Sequence, residues 1–202
     1  MNRNKRIAIT GGIGSGKSEV GNYLQTAYGF CVLDCDVIAR EITNRADVRD
    51  VLKREFGETY FPNGDFLRKA FAADVFADPQ KTARLNALLH PLIFQELFLR
   101  MEEASGVAFA MVPLLFETNT QDRFDEVWLV TADESLRRRR AAQRDGVSEA
   151  EIALRIKNQI SDEKKQKFAH IIINNNGSLA ELHRQVDDIV RKANDFEHSN
   201  EI

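Results

Sequence analysis

Residues 11–18 read Gly-Gly-Ile-Gly-Ser-Gly-Lys-Ser and follow the apolar run Ile7-Ala8-Ile9. Gly11, Gly16, Lys17 and Ser18 stand at the G-x-x-x-x-G-K-[ST] spacing of a phosphate loop. Glycines at such a turn let successive backbone N–H groups face one concavity and bind polyphosphate oxygens. Lys17 can reach the β- and γ-phosphates, and the Ser18 hydroxyl can ligate Mg²⁺. A glycine-rich turn without a ligand is the alternative, but Lys-Ser at this offset after a strand is rare by chance. The segment therefore implies a nucleoside triphosphate site.

Phosphoryl transfer also needs an oriented nucleophile. Asp34-Cys35-Asp36 follows a second apolar run, at a strand end expected near the phosphate-binding turn. A carboxylate there can accept the proton of an attacking hydroxyl or hold a Mg²⁺ water. Alternatively, Asp36 is the N-cap of a helix Val37–Ile42. Arg40 lies one helical turn on, as a salt-bridge partner for Asp36 or a cation at the acceptor. Arg140 and Arg144 share a helical face, and the planar arginine fork suits phosphate oxygens. A solvated basic face is the plain alternative, and it is the fitting one for Arg137–Arg139. Val112-Pro113-Leu114-Leu115-Phe116-Glu117 ends a strand with an apolar turn and a carboxylate, either acceptor-binding or core. The amides of Asn174, Asn175 and Asn176 before Gly177 can read a base edge, although Asn-Gly is also ordinary turn chemistry. His90-Pro91 is read as a joint between two helices, with the histidine structural.

The elements that must position these groups alternate in type. Strands are expected at Ile7–Thr10, Phe30–Leu33, Val107–Val112, Val127–Val130 and Ile171–Ile173, each apolar throughout, as in a parallel sheet buried on both faces. Helical patterns lie between them: Ser18–Tyr28, a face of Val48, Val51, Leu52 and Phe56, and a helix opening at Pro79. Ser178-x-x-Glu181 is a capping box before a final helix. The pattern is a doubly wound α/β fold with a five-stranded parallel sheet. It is read as one domain over 1–202 with two insertions. Residues 45–105 carry helices and no clear strand, as a lobe for the second substrate. Residues 133–170 hold ten Lys/Arg against seven Asp/Glu, which suits a lid over phosphates.

Composition sets bounds. The chain has 202 residues, 43% hydrophobic and 29% charged, with net charge −3, which argues against a primary nucleic-acid binder. No apolar run approaches the ~20 residues that span a bilayer. Met1–Arg6 is polar, so no signal peptide is expected. Cys31 and Cys35 have no second Cys/His pair, and buried thiols in a reducing cytoplasm fit them better than a disulfide or zinc site. Glu197–Ile202 is expected to fray.

Taken in order, six segments resemble the dephospho-coenzyme A kinases. They are Thr10-Gly-Gly-Ile-Gly-Ser-Gly-Lys-Ser18, Asp34-Cys-Asp-Val-Ile-Ala-Arg40, Leu85-Asn-Ala-Leu-Leu-His-Pro91, Pro113-Leu-Leu-Phe-Glu117, Arg140-Ala-Ala-Gln-Arg-Asp145 and Ile173-Asn-Asn-Asn-Gly177. The resemblance implies an adenylate-kinase-like P-loop fold with core, CoA-binding and lid regions. It implies transfer of the γ-phosphate of ATP, with Mg²⁺, to the ribose 3′-hydroxyl of dephospho-CoA, the last step of CoA synthesis. Asp36 would be the base, and Lys17 would hold ATP with Gly12, Gly14, Ser15, Gly16, Ser18 and Glu19. Ser18 would ligate Mg²⁺, and Arg140 and Arg144 would close on the transferring phosphate. Asn175 and Gly177 would lie near the adenine. Asp36, Arg40, His90, Leu115 and Glu117 would meet the acceptor. Glu19 stands where the family more often has Thr, Cys35 where it has Ala, and His170 where Asp is common. Small molecules are the expected partners, without nucleic acid or membrane, for a cytoplasmic monomer or weak homo-oligomer. Another small-molecule or nucleoside monophosphate kinase of this fold is the nearest rival. A regulatory GTPase would want an Asn-Lys-x-Asp motif, which the chain lacks.

Overall fold

The computed structural model describes residues 4–199, with side chains to residue 193. The tail Glu197–Ile202, where fraying is expected, lies outside the described side chains. The chain divides into two compact units, one of Met1–Asp34 with Met101–Ile202, the other Cys35–Arg100.

The first unit holds the sheet. Its strands are β1 (Lys5–Thr10), β2 (Cys31–Asp34), β3 (Val107–Met111), β4 (Glu126–Thr131) and β5 (Ile171–Asn174). All pairings are parallel, in the order β2-β3-β1-β4-β5. Helix α1 (Lys17–Tyr28) joins β1 to β2, and α9 (Leu179–Ser199) follows β5. The order reverses beside β1, so its carboxyl end is the switch point where such sheets take ligands. Ile7 and Ile9 of β1, Phe109, Trp128 and Val130 bury one continuous core with Val20 and Leu24 of α1 and Leu182 and Val186 of α9. Each such side chain stabilises the fold by about 1.5–3 kcal/mol.

Burial on both faces holds for β1, β3 and β4 only. The outer strands depart from it: β2 is half-buried along its length, and Ile172 of β5 is exposed. Position explains this, because an edge strand has one neighbour and less cover. The capping box before α9 forms as expected, with Ser178 N–H donating to Glu181 Oε2 at 2.7 Å and Glu181 N–H to Ser178 Oγ at 3.3 Å.

The second unit is helical: α2 (Cys35–Asn44), α3 (Ala46–Phe56), α4 (Arg68–Ala77) and most of α5 (Pro79–Glu103). Ile38, Ile42, Val48 and Leu52 are its buried stripes on α2 and α3. Phe71 of α4 packs edge-on against Phe56 and Tyr60, with Phe66 stacked on Phe61. The expected break at His90-Pro91 is absent, since α5 runs 25 residues with Pro91 inside it. Proline removes one backbone donor, but the apolar face of Leu85, Leu89, Phe94 and Leu97 is buried on both sides of it.

In the first unit, α6 (Glu134–Asp145), α7 (Glu149–Lys157) and α8 (Asp162–Gln166) fill the basic segment between β4 and β5. A second capping box, Ser148 with Glu151, opens α7. Both cysteines are free thiols. Among the described residues no helix is long and apolar enough to cross a membrane.

Candidate active site

The phosphate loop leaves β1 at Thr10 and enters α1 at Lys17. Gly14 and Gly16 sit at φ 75° and 95°, where an L side chain is strained. Space forbids side chains there as well. A Cβ on Gly14 would collide with the backbone carbonyl of Arg137, and one on Gly16 with the Asn175 amide. Gly16 also caps α1, accepting from the N–H groups of Glu19 and Val20 at 3.0 and 3.3 Å. Ser15 is buried, and Ser18 is exposed in the first turn of α1. The helix N-terminus and the loop thus offer N–H groups and a positive dipole end to an anion.

Three side chains from distant segments fix this loop. Arg137 Nε donates to Ile13 O at 3.1 Å, and its Nη1 pairs with Asp162 at 2.7 Å. Gln159 accepts from Ile13 N–H at 3.0 Å. Asn175 Nδ2 donates to Ser15 O at 2.8 Å, and Asn175 O accepts from Arg140 Nη1 at 2.9 Å. Arg137 corrects the expectation of a solvated basic face over Arg137–Arg139. It is 6% exposed, because its guanidinium lies under the loop rather than in water. Arg137 and Gln159 escaped the sequence pattern because their partner in the loop, Ile13, lies more than a hundred residues away. The clustered arginines were the only signal.

Arg140 and Arg144 share α6 but not surroundings. Arg140 is half-buried on the Asn175 carbonyl, whereas Arg144 is exposed and forks onto Asp145, Nε to Oδ1 at 2.7 Å. That hydrogen bond holds the Asp145 carboxyl below its usual range and raises Arg144. Glu117 accepts from Ile160 N–H at 3.1 Å and pairs with the wholly buried Lys165 at 3.0 Å. Leu115 is likewise wholly buried, so its side chain is core here. Gly177 lines an open groove of about 550 Å³ with Asn174, Glu181, Arg184, Gln185 and Asp188. The Asn175 side chain turns to the phosphate loop. Glu19 lies 3.6 Å from His183 Nε2, a ring stacked on Tyr23.

In the second unit, Asp36 and Arg40 lie four apart and exposed on α2. The N-cap alternative for Asp36 fails, because α2 begins at Cys35 and Asp36 lies inside its first turn. Asp34 ends β2 directly before it. An acid in a first turn is favoured by the helix dipole. His90 is half-buried in α5, edge-on to Phe94, and burial pushes its pKa down.

The sequence matches the dephospho-CoA kinase family model over residues 5–181. The chain belongs to the dephospho-CoA kinase family. A dephospho-CoA kinase of Corynebacterium glutamicum is 36% identical over 92% of this chain and 95% of its own length. One of Geobacter sulfurreducens is 38% identical over 92% of this chain and 97% of its own. The crystal structure of TT1252 from Thermus thermophilus superposes with a TM-score of 0.84 at 33% identity, covering 95% of this chain and 98% of that one. The parallel five-stranded sheet is therefore that of a P-loop kinase, and family membership makes the protein a phosphotransferase with ATP as co-substrate.

Proposed function

We propose that the protein moves the γ-phosphate of ATP to the ribose 3′-hydroxyl of dephospho-CoA, with Asp36 as the base. The observation that carries this is the complete phosphate loop at the carboxyl end of the central strand in a chain of this family. The loop amides and Lys17 hold the β- and γ-phosphates of ATP. Gly12, Gly14, Ser15, Gly16 and Ser18 supply the cradle, with Glu19 behind it and the Asn175–Gly177 turn toward the adenine.

Among the described residues no group of three His, Cys, Asp or Glu forms a cage for a metal ion. The donor set fits Mg²⁺ carried by the nucleotide, with the exposed Ser18 hydroxyl as the protein's ligand. When bound, the ion offsets charge on the β- and γ-oxygens. The 3′-oxygen attacks the γ-phosphorus, its proton passes to the Asp36 carboxylate, and the bond to ADP breaks. Arg140 and Arg144, on a lid of α6 to α8 within 133–170, neutralise the transferring group. Arg144 can reach it by exchanging Asp145 for phosphate, a swap its exposure permits. The helical region about 45–105 takes the acceptor, with Arg40 and His90 as the groups that meet it; the wholly buried Leu115 side chain is core and takes no part. The enzyme works in the cytoplasm on small molecules, as a monomer or weak homo-oligomer. Its net charge of −3 supports the absence of a nucleic-acid partner.

Phosphorus and proton NMR of the product formed from Mg-ATP and dephospho-CoA tests this. New phosphate on the ribose 3′-oxygen is expected. Phosphate at another position, or ATP hydrolysis alone, would contradict the assignment.

A further inference from the structure

Two arginines of the second unit stand out by what they lack. Among the described residues, the side chains of Arg49 and Arg68 meet neutral acceptors and no carboxylate. Arg68 donates from Nη1 to Thr43 Oγ1 at 2.8 Å and from Nη2 to Asn44 Oδ1 at 3.1 Å. Arg49 Nη2 donates to the same Asn44 oxygen at 3.2 Å. Both guanidinium groups are thus drawn to one amide oxygen. Arg49 Nε is buried without a partner. Arg40 lies one turn before Asn44 on α2, and its positive field reaches Arg68 together with that of Arg49.

The acids beside them serve other cations. Glu41 pairs with Arg100, Asp47 with Arg45, and Asp50 with Lys53. Burial first, and then its two arginine neighbours, pull the Arg68 pKa down. The Phe66 face, 5.1 Å from the guanidinium carbon, holds Arg68 in place. Like charges held together around a neutral acceptor, with a buried donor left over, form a site short of an anion. Two planar forks converging on one oxygen suit adjacent phosphate groups better than one carboxylate.

We propose that Arg40, Arg49 and Arg68 bind the diphosphate of the acceptor. The proposal rests on the reading that this unit takes dephospho-CoA, whose adenosine and pantetheine halves are joined by a diphosphate. It adds Arg49 and Arg68, which neither the phosphate loop nor the lid involves. Asp36 stands one turn before Arg40, so one face of α2 offers a base and then a cation, the order in which the acceptor presents hydroxyl and diphosphate.

The test is steady-state kinetics of Arg49→Gln and Arg68→Gln, with Arg45→Gln as a charge control that leaves the cluster intact. A hydrogen bond to a charged group is worth enough for KM of dephospho-CoA to rise about ten- to a hundredfold. The KM of ATP should stay within about twofold, and Arg49→Lys should recover part of the loss. Arg45→Gln should leave both constants alone. Circular dichroism establishes which variants fold. If Arg68→Gln does not fold, the half-buried Arg49 decides the question with its Gln and Lys forms. Unchanged KM for dephospho-CoA in Arg49→Gln, or an equal rise for ATP, overturns the anion site. A wild-type enzyme that does not phosphorylate dephospho-CoA overturns the underlying reading instead.

Discussion

Replacing Arg137 with Met separates a structural arginine from a solvated one. The side chain is 7% exposed and its partner Asp162 18%, with 2.7 Å between Nη1 and Oδ2. Methionine fills much of the same volume but leaves Asp162 without its cation and the Ile13 carbonyl without a donor. Breaking a buried pair from one side costs about 3–5 kcal/mol. The partial exposure of Asp162 places the value near the lower end, at about 3 kcal/mol. For a chain of this size that lowers Tm by roughly 6–12 °C. The phosphate loop also loses a prop, and a shift of ~1 Å in the reacting groups costs up to about a hundredfold in rate. Urea unfolding followed by circular dichroism reads the first effect, and kcat/KM for ATP the second. The double variant Arg137→Met with Asp162→Leu should recover much of the stability, since both charges are then gone. A loss below ~1 kcal/mol for Arg137→Met would be the value of an exposed pair and would refute the reasoning.

Other consequences follow from the same geometry. Gly14→Ala should abolish ATP binding or unfold the loop, since its Cβ meets the Arg137 carbonyl, whereas Gly146→Ala, also at positive φ but in open space, should cost only about 1–2 kcal/mol. Calorimetric titration with ATP and thermal melts check both, and normal ATP affinity in Gly14→Ala would contradict the loop geometry. Burial holds the folded pKa of His90 below its ordinary value of about 6.5. The unfolded chain therefore takes up the proton first, so this contribution to stability is complete above about pH 6.5 and is lost as pH falls toward the folded pKa. The difference in unfolding free energy between wild type and His90→Gln should shrink between pH 7.5 and 5. A difference independent of pH would show that His90 does not titrate in this way.

Local spacing made the phosphate loop, the five strands and the final capping box legible, because each is written within a few consecutive residues. Asp36 follows the β2 strand end as the sequence implies, but its helix begins at Cys35, two residues before the Val37 that the pattern suggests, and those two residues decide between capping and lying in a first turn. The proline rule predicted a break at Pro91, yet a long buried stripe on α5 outweighs one missing donor. Arg137, Gln159 and the Arg49–Arg68 pair were illegible for a different reason. Their burial and partners are set by tertiary contacts, and on α6 the buried arginine sits in a run of four with no difference in type. Asn175 was singled out as an amide near a base, whereas its side chain braces the loop from behind.

The central claim is that Asp36 takes the proton of the attacking hydroxyl. The measurement that tests it most directly is single-turnover phosphoryl transfer by Asp36→Asn, with Asp34→Asn as control and ATP affinity measured on the same samples. Loss of a general base predicts a fall of roughly 10²–10⁴ in rate, with ATP affinity kept and a smaller loss in the control. An Asp36→Asn enzyme that transfers phosphate at the wild-type rate would contradict the account.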